Sequence, residues 1–137
     1  MATKKTWTEK LQVKKEPQLK KIQKDFWGYT KGDEMYISTP QIIEDYIKQI
    51  AKGKAVDTIT MRNDMALENN AVFTCPLTTG IFLRIVAEAA NEQLEKGVPL
   101  KNITPFWRMI EPNSPLANKL TFGQDFLKEQ RKKEKIG

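Results

Sequence analysis

Residues 60–96 read TMRNDMALENNAVFTCPLTTGIFLRIVAEAANEQLEK, and two helices joined by a connector account for the pattern. The first is predicted over Thr60–Glu68, capped by Thr58 or Thr60, with Met61, Met65 and Leu67 as its apolar positions and Asn69-Asn70 as its stop. Val72-Phe73-Thr74-Cys75 makes a short connector. Pro76 opens the second helix, because a proline sits without penalty in a first turn. That helix is predicted to run to Lys96, with Ile81, Phe82, Ile85, Val86, Ala89 and Ala90 inward and Gly97 ending it. A longer second helix, entered through small polar residues, makes the pair a helix-turn-helix candidate.

Upstream, Ser38-Thr39-Pro40-Gln41 signals another helix start, with capping-box spacing between Ser38 and Gln41. Ile42, Ile43, Tyr46, Ile47 and Ile50 then form an apolar stripe that Gly53 closes. Residues 1–36 read as a weakly structured basic extension. A short helix over Gln18–Trp27 would place Leu19, Ile22 and Phe26 on one face. Phe26, Trp27 and Tyr29 are too apolar for a free tail and are expected to dock, and Met35-Tyr36-Ile37 is expected to enter the domain as an extended segment. Downstream, residues 98–115 hold four of the seven prolines and read as a loop or wing of short extended pieces. A last helix over Gly123–Glu134 would pack Phe126 and Leu127 and turn its basic residues outward. The expected architecture is mainly α: a winged-helix-like domain at 37–137 preceded by the extension at 1–36.

Composition narrows the chemistry. At 137 residues the chain has the size of one domain. It contains no histidine, which removes Ser-His-Asp triads, Cys-His pairs and histidine-bearing zinc sites. Neither GxxxxGK[ST] nor GxGxxG occurs. Catalysis would have to rest on carboxylates, lysine, tyrosine or an unassisted Cys75, and no metal or cofactor is expected. A lone cysteine excludes an internal disulfide and fits a reducing cytoplasm. No apolar run is long enough to span a bilayer, and no secretory signal is visible in MATKKTWTEK. A cytoplasmic monomer without a membrane anchor is the expectation.

The net charge of +6 is uneven. Residues 1–31 carry nine lysines against three acids, and residues 119–137 carry six basic against three acidic groups. The centre, 32–118, has eight basic and eleven acidic residues. Basic ends favour polyanions, nucleic acid above all, through counterion release. The same lysines also serve solubility, so charge alone leaves both readings open.

Four stretches, in order, resemble the DNA-binding domain of the O6-alkylguanine-DNA alkyltransferases, and especially their cysteine-less relatives, the alkyltransferase-like proteins. Ala51-Lys52-Gly53-Lys54 resembles the entry "PKGKV" without its proline. Phe82–Ala90 resembles the recognition helix "AARAVGxAL", which puts Arg84 at the arginine finger. Pro105–Ile110 resembles the active-site "PCHRV", and Leu127–Gly137 resembles the closing "LLxxEG"-type helix. The likeness covers about two-thirds of the chain.

That resemblance implies a recognition helix in the minor groove of duplex DNA, with Thr79, Gly80, Arg84 and Asn91 as DNA contacts. It also implies a base pocket walled by Pro105, Phe106, Trp107 and Arg108, able to stack an extruded base. Phe106 stands at the position of the alkyl-accepting cysteine and Trp107 at that of its activating histidine, so alkyl transfer there is chemically impossible. The family's tyrosine on the first helix of the pair is replaced near Met61 or Arg62. The implied function is non-enzymatic binding of alkylated or unusual bases in DNA, with a repair protein as a possible partner; the alternative is a protein-interaction scaffold that no longer touches DNA.

Bland readings stand beside these. Pro-Phe-Trp-Arg is equally a packed loop. Arg84 can pair with Glu88 on an exposed strip that also carries Asn91 and Glu95. Cys75, ahead of Pro76 at a helix start, is more often a small buried hydrophobe than a reactive thiol.

Overall fold

The computed structural model describes residues 5–136. Gly137, the end of the stretch likened to a closing helix, lies outside them. Among the described residues five α-helices and a small three-stranded sheet alternate. In chain order these are α1 (Trp7–Gln12), β1 (Gln18–Lys21), β2 (Glu34–Ile37), α2 (Pro40–Lys48), α3 (Thr58–Glu68), β3 (Phe73–Thr74), α4 (Pro76–Glu95) and α5 (Asp125–Lys133). Three 3₁₀ turns, at Leu100–Asn102, Phe106–Arg108 and Ala117–Lys119, fill the proline-rich stretch.

The α4 helix is the centre. Phe82, Leu83, Val86, Ala87, Ala89 and Ala90 are all buried, so its middle is apolar around most of its circumference, as a helix enclosed by others requires. Alanines at 87, 89 and 90 let neighbours approach closely. Ile43 and Ile47 of α2 and Met61 and Met65 of α3 share this core with Ile103, Phe106, Met109, Ile110 and Leu127. Ile81, expected inward, is 59% exposed, and Ile85 is half-buried.

The α2 helix forms where its sequence signals put it. Thr39 is the cap, its hydroxyl accepting from the Ile42 N–H at 3.2 Å, with Pro40 in the first turn. Gln41 does not close a capping box with Ser38. Its amide donates instead to the carbonyls of Leu11 and Val13 at 2.7 and 3.0 Å. The α3 helix starts two residues earlier than expected because the Asp57 carboxylate caps it, accepting from the Thr60 N–H at 2.7 Å.

Residues 5–36 carry a helix and two strands, which corrects, for that part, the reading of 1–36 as weakly structured. The α1 helix is held at both ends by side chains from afar. Glu92 of α4 accepts from the N–H groups of Trp7 and Thr8 at 3.1 and 2.7 Å and from the Thr8 hydroxyl at 2.9 Å. Gln41 takes the carbonyls at the other end, and Leu11 is buried between. These bonds satisfy groups that a two-turn helix leaves orphaned.

No helix spans 18–27. Gln18–Lys21 pairs antiparallel with Glu34–Ile37, and Glu34–Ile37 pairs in parallel with Phe73–Thr74. The apolar spacing of Leu19, Ile22 and Phe26 suits a helix, yet Leu19 is 50% exposed and strand pairing to β2 decides the backbone. The wing expected at 98–115 contains no strand. The β-hairpin lies at the N-terminal side instead.

Its tip is a two-residue turn. Phe26 and Tyr29 exchange backbone hydrogen bonds at 3.0 and 2.8 Å, and Trp27 and Gly28 both have positive φ, 50° and 85°. A turn with positive φ at both centres matches the twist of its strands and favours Asn-Gly. Tryptophan there costs about 1–2 kcal/mol relative to a residue free of that strain. Tyr29 stacks on Phe73 at 3.8 Å, whereas Trp27 points away and is 63% exposed.

The docked extension makes a simple prediction. Leu11→Ala lowers folding stability by about 2–4 kcal/mol in urea denaturation; an unchanged midpoint means α1 is not packed.

Candidate nucleic-acid interface

The structure divides the sequence-derived site residues into two groups. Pro105, Phe106 and Trp107 are buried, with Phe106 at 0% and Trp107 at 4% exposure. The Phe106 ring packs edge-on to Trp107 and Phe122 at 5.5 and 5.7 Å and against Phe126 at 5.8 Å. No face of Phe106 is free to receive a base, so the expected base pocket is occupied by the protein's own rings. Burying an aromatic cluster contributes more to the core than an open cavity would.

Arg108 is committed as well. Its guanidinium donates to both Glu134 oxygens at 2.9 and 3.0 Å and to the Ile50 carbonyl at 2.8 Å. Glu134 also accepts from the Trp107 indole at 2.7 Å and from the Gly53 N–H at 3.0 Å. Glycine suits this position because its φ is +84°, a left-handed backbone that side chains rarely adopt. Arg131, expected on the outer face of the last helix, is buried and donates to the Trp107 carbonyl at 2.8 Å. The outer side of this turn does line a cleft of about 550 Å³ with Lys48, Lys52, Lys101 and Lys133.

On α4 the expected contacts separate. Thr79 is buried, and its hydroxyl donates to the Cys75 carbonyl at 2.7 Å. It is a structural residue, not a surface contact. Asn91 bonds Glu95 at 3.2 Å. Gly80 and Arg84 line a groove of about 720 Å³ together with Leu77, Ile81, Lys10 and Lys119. Nothing lies within 4 Å of where a Gly80 Cβ would be, so the backbone is open to close approach there.

Arg84 approaches Glu88 at 3.6 Å and lies 5.2 Å over the Trp7 ring. The strip through Glu88 is not solvated. Glu88 is 1% exposed, and its carboxylate accepts from the Thr121 N–H and hydroxyl at 2.9 and 2.6 Å. Cys75 is buried and free.

The signals missed in the sequence were Trp7 and Lys10, which the fold carries to α4 from far upstream; Trp27, expected to dock with Phe26 and Tyr29, is instead 63% exposed. Trp27 lines the Arg84 groove and a neighbouring cavity of about 460 Å³ that contains Asp57, Arg62, Met109 and Glu111. The two cavities make Trp27 the ridge between them. Among the described residues no cluster of acids and cysteine is placed to hold a metal ion, and no helix is long and apolar enough to cross a membrane.

The Glu134 network has an acid signature. Burial pushes the carboxyl up, but the hydrogen bonds from Arg108, Gly53 and Trp107 outweigh it and hold its pKa down at about 2. A folded value below the unfolded one means the stabilisation is complete above about pH 5 and is lost as the pH falls toward 2. Glu134→Gln is expected to cost about 3 kcal/mol at neutral pH and to flatten the stability profile across that window, measured by urea denaturation at stepped pH. An equally steep acid limb in the variant would show that other groups set it.

No family model, no curated protein and no solved structure matches this chain.

Proposed function

We propose that the chain is a non-enzymatic DNA-binding protein of winged-helix-like design, with α3 and α4 as the helix pair and the open N-terminal half of α4 facing the nucleic acid. One observation carries this reading. Lysines 5, 10, 14, 15, 20, 21, 24 and 31 have no carboxylate within ion-pair distance among the described residues; the ion pairs there are Lys48–Glu44, Arg84–Glu88, Arg108–Glu134 and Lys133–Glu129. Such uncompensated charge attracts phosphates. Lys10 lines the α4 groove directly, and Lys15 sits 5.2 Å over Phe82 of α4. The hairpin β1–β2 carries Lys20, Lys21 and Lys24 on or beside its outer strand.

Recognition of alkylated bases is the finer form of this proposal and rests on the four stretches that resemble the alkyltransferase-like proteins. A protein-interaction scaffold is the second reading. It is favoured by Leu77 and Ile81, which are 52% and 59% exposed on the same helix.

Removing the extension would take α1 and β1 out of the fold, so charge substitution is the sound test. The triple variant Lys20→Gln, Lys21→Gln, Lys24→Gln is expected to bind a short duplex more weakly. Its log affinity against log salt should flatten by about 0.9 for each phosphate that is no longer neutralised. A parent protein that binds no duplex at low salt, or a variant with the parent's slope, refutes the proposal.

The absence of alkyl transfer is tested separately. With Phe106 at the acceptor position and Cys75 buried, DNA bearing a labelled O6-methylguanine leaves the protein unlabelled. Label recovered on Cys75 would make the protein an enzyme.

A further inference from the structure

We propose that the groove between the β1–β2 hairpin tip and α4 holds an unpaired stretch of DNA, with Trp27 as a base-stacking residue; this rests on the DNA-binding reading and deepens it. The groove has an apolar floor and three cations, Lys10, Arg84 and Lys119, and no carboxylate lines it. Of the nearby acids, Glu88 accepts from Thr121 and pairs with Arg84 at 3.6 Å, Glu92 accepts from the start of α1, and Asp57 and Glu111 line the neighbouring cavity across Trp27. The occupant this lining complements is anionic and has flat apolar faces. Nucleotides freed from a duplex have both properties.

Trp27 supplies the second argument. The turn it occupies would be served better by asparagine or glycine, since its φ is +50°. The packing of the tip is done by Phe26 and Tyr29 against Phe73, at 6.3 and 3.8 Å. The indole is left 63% exposed on the ridge between two cavities, rigidly held by a two-residue turn. Its ring meets Phe26 at 6.2 Å, and a strained aromatic left so exposed beside that contact points to a ligand. Base faces are hidden inside a paired duplex and exposed in a single strand, which is why the unpaired form is assigned. An acidic amphipathic peptide would also meet the cations, but it would need only an apolar residue at 27, not an aromatic one.

That difference sets the experiment. Labelled oligothymidylate of roughly a dozen nucleotides, oligouridylate of equal length and a fully paired duplex are titrated at one low salt concentration. The proteins are the parent, Trp27→Leu and Trp27→Phe, with binding read by anisotropy and by tryptophan emission. The parent is expected to bind oligothymidylate with quenching. Trp27→Leu should weaken that binding by about tenfold or more and reduce the quenching to the share of Trp7, which also lines the groove, while its duplex affinity stays within about twofold of the parent's. Trp27→Phe keeps a ring and should recover most of the loss.

Full oligothymidylate binding by Trp27→Leu, equal weakening toward both DNAs, or no quenching in the parent overturns the groove assignment. Duplex binding that persists in those cases leaves the DNA reading intact. Tighter binding of oligouridylate than of oligothymidylate overturns the assignment to DNA. No binding of any of the three by the parent removes both readings together.

Discussion

The carboxylate of Glu134 accepts hydrogen bonds from Trp107, Arg108 and Gly53, and so joins the chain's last turn to the 3₁₀ turn at Phe106–Arg108 and to the loop after α2. Each donor would otherwise be a polar group at the edge of an apolar core, where an unmet hydrogen bond is expensive. With these bonds made, the Pro105–Arg108 segment is rigid and its aromatic rings are driven inward. Arg131 reinforces it from α5 by holding the Trp107 carbonyl. A buried ion pair of this kind chiefly selects one arrangement over others. Here the network holds Phe106 in the core, while Pro105, Trp107 and Arg108 line the cleft on the outer side of the turn.

With Phe106 held in the core, the accessible surface near α4 lies at the N-terminal half of that helix, where Gly80, Ile81 and Arg84 meet the docked N-terminal segment. Glu92 performs the docking by capping α1, and so carries Trp7 and Lys10 to the groove. Lys10 on α1 and Lys20 and Lys21 on β1 are therefore carried by elements of the folded frame. Preorganised cations lose less entropy when they meet a polyanion.

Local signals in the sequence were sufficient for α2, α3 and α4. Thr39-Pro40 and Pro76 mark helix starts, and Gly53, Asn69 and Gly97 follow the last turns, while the α3 start lies two residues before the one expected because Asp57, not Thr58 or Thr60, is its cap. Periodicity was less reliable at the rim of the core. Ile81 belongs to the inward pattern by spacing but stands in the groove, because no element covers that side of α4. Leu19, Ile22 and Phe26 have helical spacing in a segment that forms a strand and a turn. Strand pairing is a contact between distant residues, and neither Gln18–Lys21 nor Glu34–Ile37 contains the partner's identity.

By itself the sequence determined the helical centre of this protein, the exclusion of histidine-dependent chemistry and the uneven placement of charge, since composition, caps and apolar spacing act within a few residues. Only the tertiary structure decided that Phe106 and Trp107 are core, that Glu88 and Arg131 are buried with partners, and that Trp27 stands exposed beside Arg84. These outcomes depend on which donor meets which acceptor across 24 to 85 residues of chain. The free energy of burying a ring or a charge is set by such partners and cannot be read from the residue or its neighbours in sequence.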